Sequence, residues 1–180
     1  GIRTVMEAAA AAKDRNLSVV AGTQRRHEQC YLEAMERLHR GDLGRLLAAR
    51  CYWNMGGLWN VAAEPDRSEI ENQIRNWLYY TWLSGDHIVE QHVHNLDAIN
   101  WAFQSPPTEV FGVGGRQSRT SDEYGHIFDH FGLEYRYPDD RFAMSMCRQQ
   151  AGTTGRVEEV ITGADGMATL TSGRAVLTGP

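Results

Sequence analysis

The order of elements predicts an α/β chain of the α+β kind, an open and predominantly antiparallel sheet backed by helices on one face. Three observations carry this. Apolar residues recur at helical spacing over residues 2–15, 27–40 and 86–103. From residue 108 the pattern changes to short β-rich runs separated by turn residues. Between the first two helical patterns, Leu17 to Ala21 is a short continuous apolar run ending at Gly22, as expected of a buried parallel strand at the tail of a βαβ unit.

The first helix places Ile2, Val5, Met6 and Ala9 on one face and closes at Lys13-Asp14-Arg15, with Asn16 as its stop. The second carries Cys30, Tyr31, Ala34, Met35 and Leu38 on its apolar stripe, with Gly41 placed to end it. Residues 46–54 read as a strand. Residues 55–75, with Gly56-Gly57, Pro65 and a polar run, read as a long surface excursion. Four aromatic residues, Trp77, Tyr79, Tyr80 and Trp82, precede the strongest helix, 86–103, which Ser84 or Asp86 can cap and Pro106-Pro107 ends. Strands are expected over 108–116, 127–137, 141–150 and 156–162, and a short one after Asp165-Gly166. Pro138-Asp139-Asp140 signals a tight hairpin. The glycines of 112–117 suggest a bulged strand rather than a phosphate loop.

The 180 residues suit one domain, with 42% apolar and 23% charged residues. That composition excludes disorder as a description of the whole, and no run approaches the roughly 20 apolar residues of a membrane span. A net charge of −5 argues against nucleic acid as a partner. Of 18 basic residues only Lys13 is lysine. Cys30, Cys51 and Cys147 are too dispersed for a disulfide framework or zinc ribbon. The chain opens at Gly1 straight into a helix and stops at Thr178-Gly179-Pro180 with no closing element, so it is expected to be part of a longer protein.

Functional side chains concentrate in S-G-D-H-I-V-E-Q-H-V-H-N-L-D, residues 84–97. On one continuous helix Glu90, His94 and Asp97 share a face, His87 lies near it, and His92 points elsewhere. A carboxylate near a histidine suits acid/base chemistry, because it orients the imidazole and tunes its proton affinity. The competing sharp reading is a metal site, and with it a metal-dependent hydrolase, using His87, Glu90 and His94; a further ligand would come from His126, Asp129 or His130. The bland reading is a solvated polar face. Arg25 and Arg26, in the turn after the expected first strand, could hold phosphate or a hydroxyl-rich substrate, or make structural ion pairs.

Taken together these segments resemble the Gfo/Idh/MocA oxidoreductases. LSVVAGTQRRH is similar to that family's last Rossmann strand and following turn, and MERLHRGDLGRLLAARCYWN to its helix, G-x-[IL]-G turn and first strand of the C-terminal domain. GDHIVEQHVHNLDAINW resembles the family's H-x-x-D helix, and ITGADGMATL its G-x-x-G strand. The resemblance implies that residues 1–22 are the end of a Rossmann domain and 23–180 a truncated substrate-binding and oligomerisation domain. It implies hydride transfer between NAD or NADP and a sugar, cyclitol or related polyol; some relatives use NAD for glycoside cleavage instead. His94 falls on the family's active-site histidine, Asp97 on the aspartate three later, and Glu90 on a position usually held by aspartate. Arg25, Arg26, His87 and Asp97 are the implied substrate neighbours. Asp86 replaces the family's second glycine after Gly85. The family's G-x-G-x-x-G loop and catalytic lysine have no counterpart here, since Lys13 is misplaced for it, so the chain alone is expected to be inactive and to hold cofactor poorly. A homo-oligomer formed through the sheet, and no membrane or nucleic-acid partner, complete the expectation. A non-catalytic sugar-binding or assembly domain is the remaining alternative.

Overall fold

The computed structural model describes residues 1–179. Six helices, α1 (Ile2–Asp14), α2 (Gln29–Arg40), α3 (Glu69–Arg75), α4 (Thr81–Ser84), α5 (His87–Glu90) and α6 (Val93–Phe103), accompany seven strands. The strands are β1 (Leu46–Met55), β2 (Glu109–Gly115), β3 (His130–Arg136), β4 (Phe142–Gln149), β5 (Arg156–Gly163), β6 (Met167–Thr171) and β7 (Arg174–Thr178). They form one sheet in the order β2-β3-β4-β1-β5-β6-β7. Only β1 and β4 run parallel; every other pair is antiparallel. The α+β architecture expected from the element order is the one formed.

The core follows the predicted stripes. Tyr31, Ala34, Met35 and Leu38 of α2 are buried, and Gly41 takes the left-handed conformation (φ 94°) that ends the helix. A side chain at that φ would be strained, which suits glycine there. Those residues pack with Ala98, Ile99 and Phe103 of α6 on the face of the sheet that carries Ala49, Cys51, Ala143, Cys147, Ile161 and Leu170. Helices α2 and α6 thus cover one face. On the other, Phe111, Val113, Phe142, Met144 and Met146 remain exposed and line a hollow of about 510 Å³.

Several expectations change. Residues 17–21 form no strand; Leu17, Val19 and Val20 are exposed. A strand needs a hydrogen-bonding neighbour, and no strand of the sheet pairs with this run. α1 forms, but none of its residues is buried. The turn Gln24–His27 is a separate 3₁₀ segment, so α2 starts at Gln29. The excursion 55–75 contains α3, set by a capping box in which Ser68 and Glu71 exchange hydrogen bonds. Gly112 to Gly115 lie in β2 in unbroken register with β3, without a bulge. A closing strand, β7, follows β6, where no further element was expected.

The largest change is in the helix expected over 86–103, which is two helices. His92 N–H reaches back five residues to the His87 carbonyl (3.2 Å), widening the turn, before α6 begins at Val93. Side chains at the break are drawn toward the sheet: His92 Nε2 lies 2.5 Å from Ser145 Oγ, and Gln149 Nε2 donates to Gln91 Oε1 at 2.7 Å. These contacts compensate for a disturbed helix ladder.

Candidate functional site

The candidate site lies where β1 ends beneath α6, and each part is placed by a different element. Gly85 is in the left-handed region (φ 72°), with the Val89 side chain so close that a Cβ there would clash. Asp86, also at positive φ, caps α5: Oδ1 accepts from His87 N–H (2.6 Å) and Oδ2 from Phe128 N–H (2.9 Å). Burial nevertheless raises its pKa, with those backbone donors opposing. The carboxylate expected as a possible cap is therefore a tie between α5 and the loop before β3.

His94 is half-buried beside the Trp53 indole, with ring centroids 5.7 Å apart. Its Nδ1 is buried without a hydrogen-bond partner. Burial lowers its pKa first, the Arg25 cation lowers it further, and Asp97 opposes both. Glu90, also half-buried, has one buried oxygen, Oε2, without a partner, and burial raises its pKa. No hydrogen bond joins Glu90 to His94; both present unsatisfied atoms. Buried polar groups left unpaired within a folded chain are exceptional, which marks these two atoms as part of a candidate site.

The other predicted residues are engaged internally. Arg25 is 4% exposed and its Nη1 donates to the wholly buried Glu159. Glu159 also accepts from Tyr31 Oη (2.7 Å) and Asn95 Nδ2 (2.6 Å). Burial pushes its pKa up to about 7, with Arg25 the strongest opposing influence. Arg26 grips Asp97 bidentately at 2.7 and 2.9 Å and stacks on Trp101, so those two are brought together while each keeps some exposure. His87 is fully buried with both ring nitrogens unpartnered, its pKa pressed down to about 4, chiefly by burial and then by Arg119. It is out of reach of a ligand in this conformation.

Sequence reasoning missed Glu159, Trp53, Tyr31 and Asn95. The one available signal was a carboxylate inside the strand pattern of 156–162, anomalous where a side chain faces a core. The metal reading fails on geometry: among the described residues no group of three or more His, Cys, Asp or Glu side chains is arranged to hold an ion. His126 instead meets Thr81 Oγ1, and His130 pairs with Asp129, whose Oδ2 accepts from three successive backbone N–H groups, residues 117–119.

The model of the GFO/IDH/MocA C-terminal domain matches residues 31–169. The chain belongs to that family. Similar solved structures include myo-inositol 2-dehydrogenase from Lactobacillus plantarum, with 20% identity, 83% of this chain and 40% of that one covered, and TM-score 0.63. Another is aldose-aldose oxidoreductase from Caulobacter crescentus complexed with glycerol, with 16% identity, 95% and 50% covered, and TM-score 0.66. A third is a super-repressor mutant of Gal80p from Saccharomyces cerevisiae, with 14% identity, 94% and 47% covered, and TM-score 0.65. At these identities the likeness is one of fold. This GFO/IDH/MocA C-terminal domain spans about half the length of the structures it resembles. No curated protein matches its sequence.

Proposed function

We propose that this chain is the substrate side of an NAD(P)-dependent oxidoreductase acting on a hydroxyl- or keto-bearing carbon of a sugar, cyclitol or related polyol. The observation that supports it best is His94, half-buried against Trp53 and held toward its neutral form, on a helix break that also leaves a Glu90 oxygen unsatisfied. A neutral imidazole can take the proton of a substrate hydroxyl as the carbon is oxidised, and return it in reduction. Glu90, its proton affinity raised by burial, is the second acid/base group. Asp97 and Arg26 border the site as a pair that a polyol can hydrogen-bond at its exposed edge; Arg25 and His87 support it from within. Family kinship and the sugar- and polyol-related names of two fold relatives point to the substrate class.

A nicotinamide supplies the hydride exchange when bound, but these residues do not fit a dinucleotide cradle. The sequence contains no G-x-G-x-x-G, and Gly112 to Gly115 are antiparallel strand. Residues 1–22 read as the end of the cofactor domain and 23–180 as the substrate domain. The test is a nicotinamide-fluorescence titration of the full-length protein beside these 180 residues, followed by a polyol screen. Binding of NAD(H) or NADP(H) by the former, weak or no binding by the latter, and polyol-dependent turnover are expected. If the full-length protein binds neither nucleotide, the dehydrogenase reading is wrong.

A further inference from the structure

Arg25, one of the two arginines expected to meet substrate, is only 4% exposed, and what it touches suggests another task. The Arg25 guanidinium carbon lies 5.4 Å from the Trp53 ring centroid and 5.7 Å from that of Tyr31. It is enclosed between two aromatic rings and the carboxylate of Glu159. Trp53 in turn packs against His94. Glu159 is itself fixed from three elements: the turn 24–27 through Arg25, α2 through Tyr31, and α6 through Asn95. Asn95 is the residue next to His94, so the helix that carries the imidazole and the strand that carries Glu159 are tied at that point.

We propose that Arg25, locked by Glu159, is a positioning residue that acts on His94 from behind Trp53 as a fixed, buried positive charge, and does not bind substrate. The inference rests on the reading of His94 as the proton-handling group. A buried cation is poorly screened, so its field reaches a neighbouring imidazole far better than a surface arginine's would. It disfavours imidazolium and favours the form able to accept a proton. Guanidinium suits the task because it stays charged when buried, where a lysine would lose its proton. The lowered proton affinity of His94, with Arg25 the largest influence after burial, agrees in direction. The charged groups around His94 divide by element: Glu90 on α5 and Asp97 on α6, Arg25 and Arg26 in the turn 24–27, and Glu159 on β5. Arg26 neutralises Asp97, its bidentate partner. Glu159 is hydrogen-bonded to the Arg25 guanidinium, and no hydrogen bond joins it to the imidazole.

The test is an NMR titration of the His94 imidazole in this 180-residue chain, which needs no turnover. In the unsubstituted protein His94 should titrate below the roughly 6.5 of an unperturbed histidine; a midpoint at or above that value overturns the proposal without any variant. In Arg25→Met/Glu159→Gln, which removes both charges while keeping similar volume, the midpoint should rise by about half a unit or more. An unchanged His94 midpoint in the folded Met/Gln variant, with amide spectra otherwise native-like, would show a purely structural pair. The two readings separate cleanly: a full-length protein that lacks turnover while His94 still shifts defeats the oxidoreductase reading alone, and an active one whose His94 does not respond defeats the role of Arg25.

Discussion

His94 shows how the setting of one residue decides its chemistry. Burial and the Arg25 cation both favour the neutral ring, so over most of the neutral range it stands ready as a proton acceptor. If the proposed oxidoreductase reading holds, His94→Ala in the full-length protein should lower turnover by about two to four orders of magnitude, the usual worth of an acid/base group, while nucleotide affinity stays within about twofold. Steady-state kinetics beside a fluorescence titration would check this, and near-normal turnover would remove His94 from the mechanism. The pH dependence has a definite sign: with the folded-state pKa lowered, the acidic limb of kcat/KM for oxidation should fall below pH 6.5, and in Arg25→Met/Glu159→Gln it should move back toward neutrality. His94 and Glu90 were legible in the sequence because their spacing and chemistry stand out locally. Arg25 was visible as a residue but not in its role, because the groups that bury it come from Trp53 and Glu159, 28 and 134 positions away, and no local pattern encodes that meeting.

At the scale of elements, the break between α5 and α6 places two histidines where they must remain uncharged. His87 and His92 are wholly buried, and their pKa values are pressed down to about 4 and about 3, burial being the main cause in each. The unfolded chain protonates both near pH 6.5 while the folded chain resists, so stability is full above that pH and is lost as pH falls toward 4. A shift of that size at His87 corresponds to about 3 kcal/mol at the acid end of the window. His87→Leu removes two unpartnered buried nitrogens and one such titration, so Tm at pH 5 should rise by several degrees and its slope with pH should flatten; a lower Tm at that pH would indicate an unseen partner for the ring. The same break shows the limit of periodicity. The apolar spacing over 86–103 fits one helix, and only the pull of Ser145 and Gln149 on His92 and Gln91 divides it. By contrast α2, β1 and the hairpin at Pro138 follow from local signals, a stripe, a β-rich run and a turn tripeptide, that tertiary contacts reinforce. The run 17–21 has the composition of a buried strand and lacks only a neighbour, which composition cannot supply.

For the whole molecule, the decisive asymmetry is between the two faces of the sheet. One is sealed by α2 and α6; the other leaves Phe111 78% and Val113 69% exposed on β2, and Met144 57% and Met146 46% exposed on β4, with β3 between them. Single exposed apolar side chains are ordinary, but two groups of them on β2 and β4, flanking Gly132 and Glu134 of β3 and with Phe142 beside them, make this face a candidate interaction surface. A second copy of this chain, apposed face to face, is the occupant consistent with the homo-oligomer expected from the family. Sedimentation velocity at micromolar concentration should therefore show a dimer or larger species. Met146→Glu, which places a charge beside Gly132 and Tyr52 near the middle of the face without touching the sealed core, should shift the protein to monomer. Because that side chain packs only on the open side, the circular dichroism of the variant should remain native-like. A monomeric unsubstituted chain would instead assign the open face to a different partner, and an unaltered assembly in Met146→Glu would place the contact elsewhere.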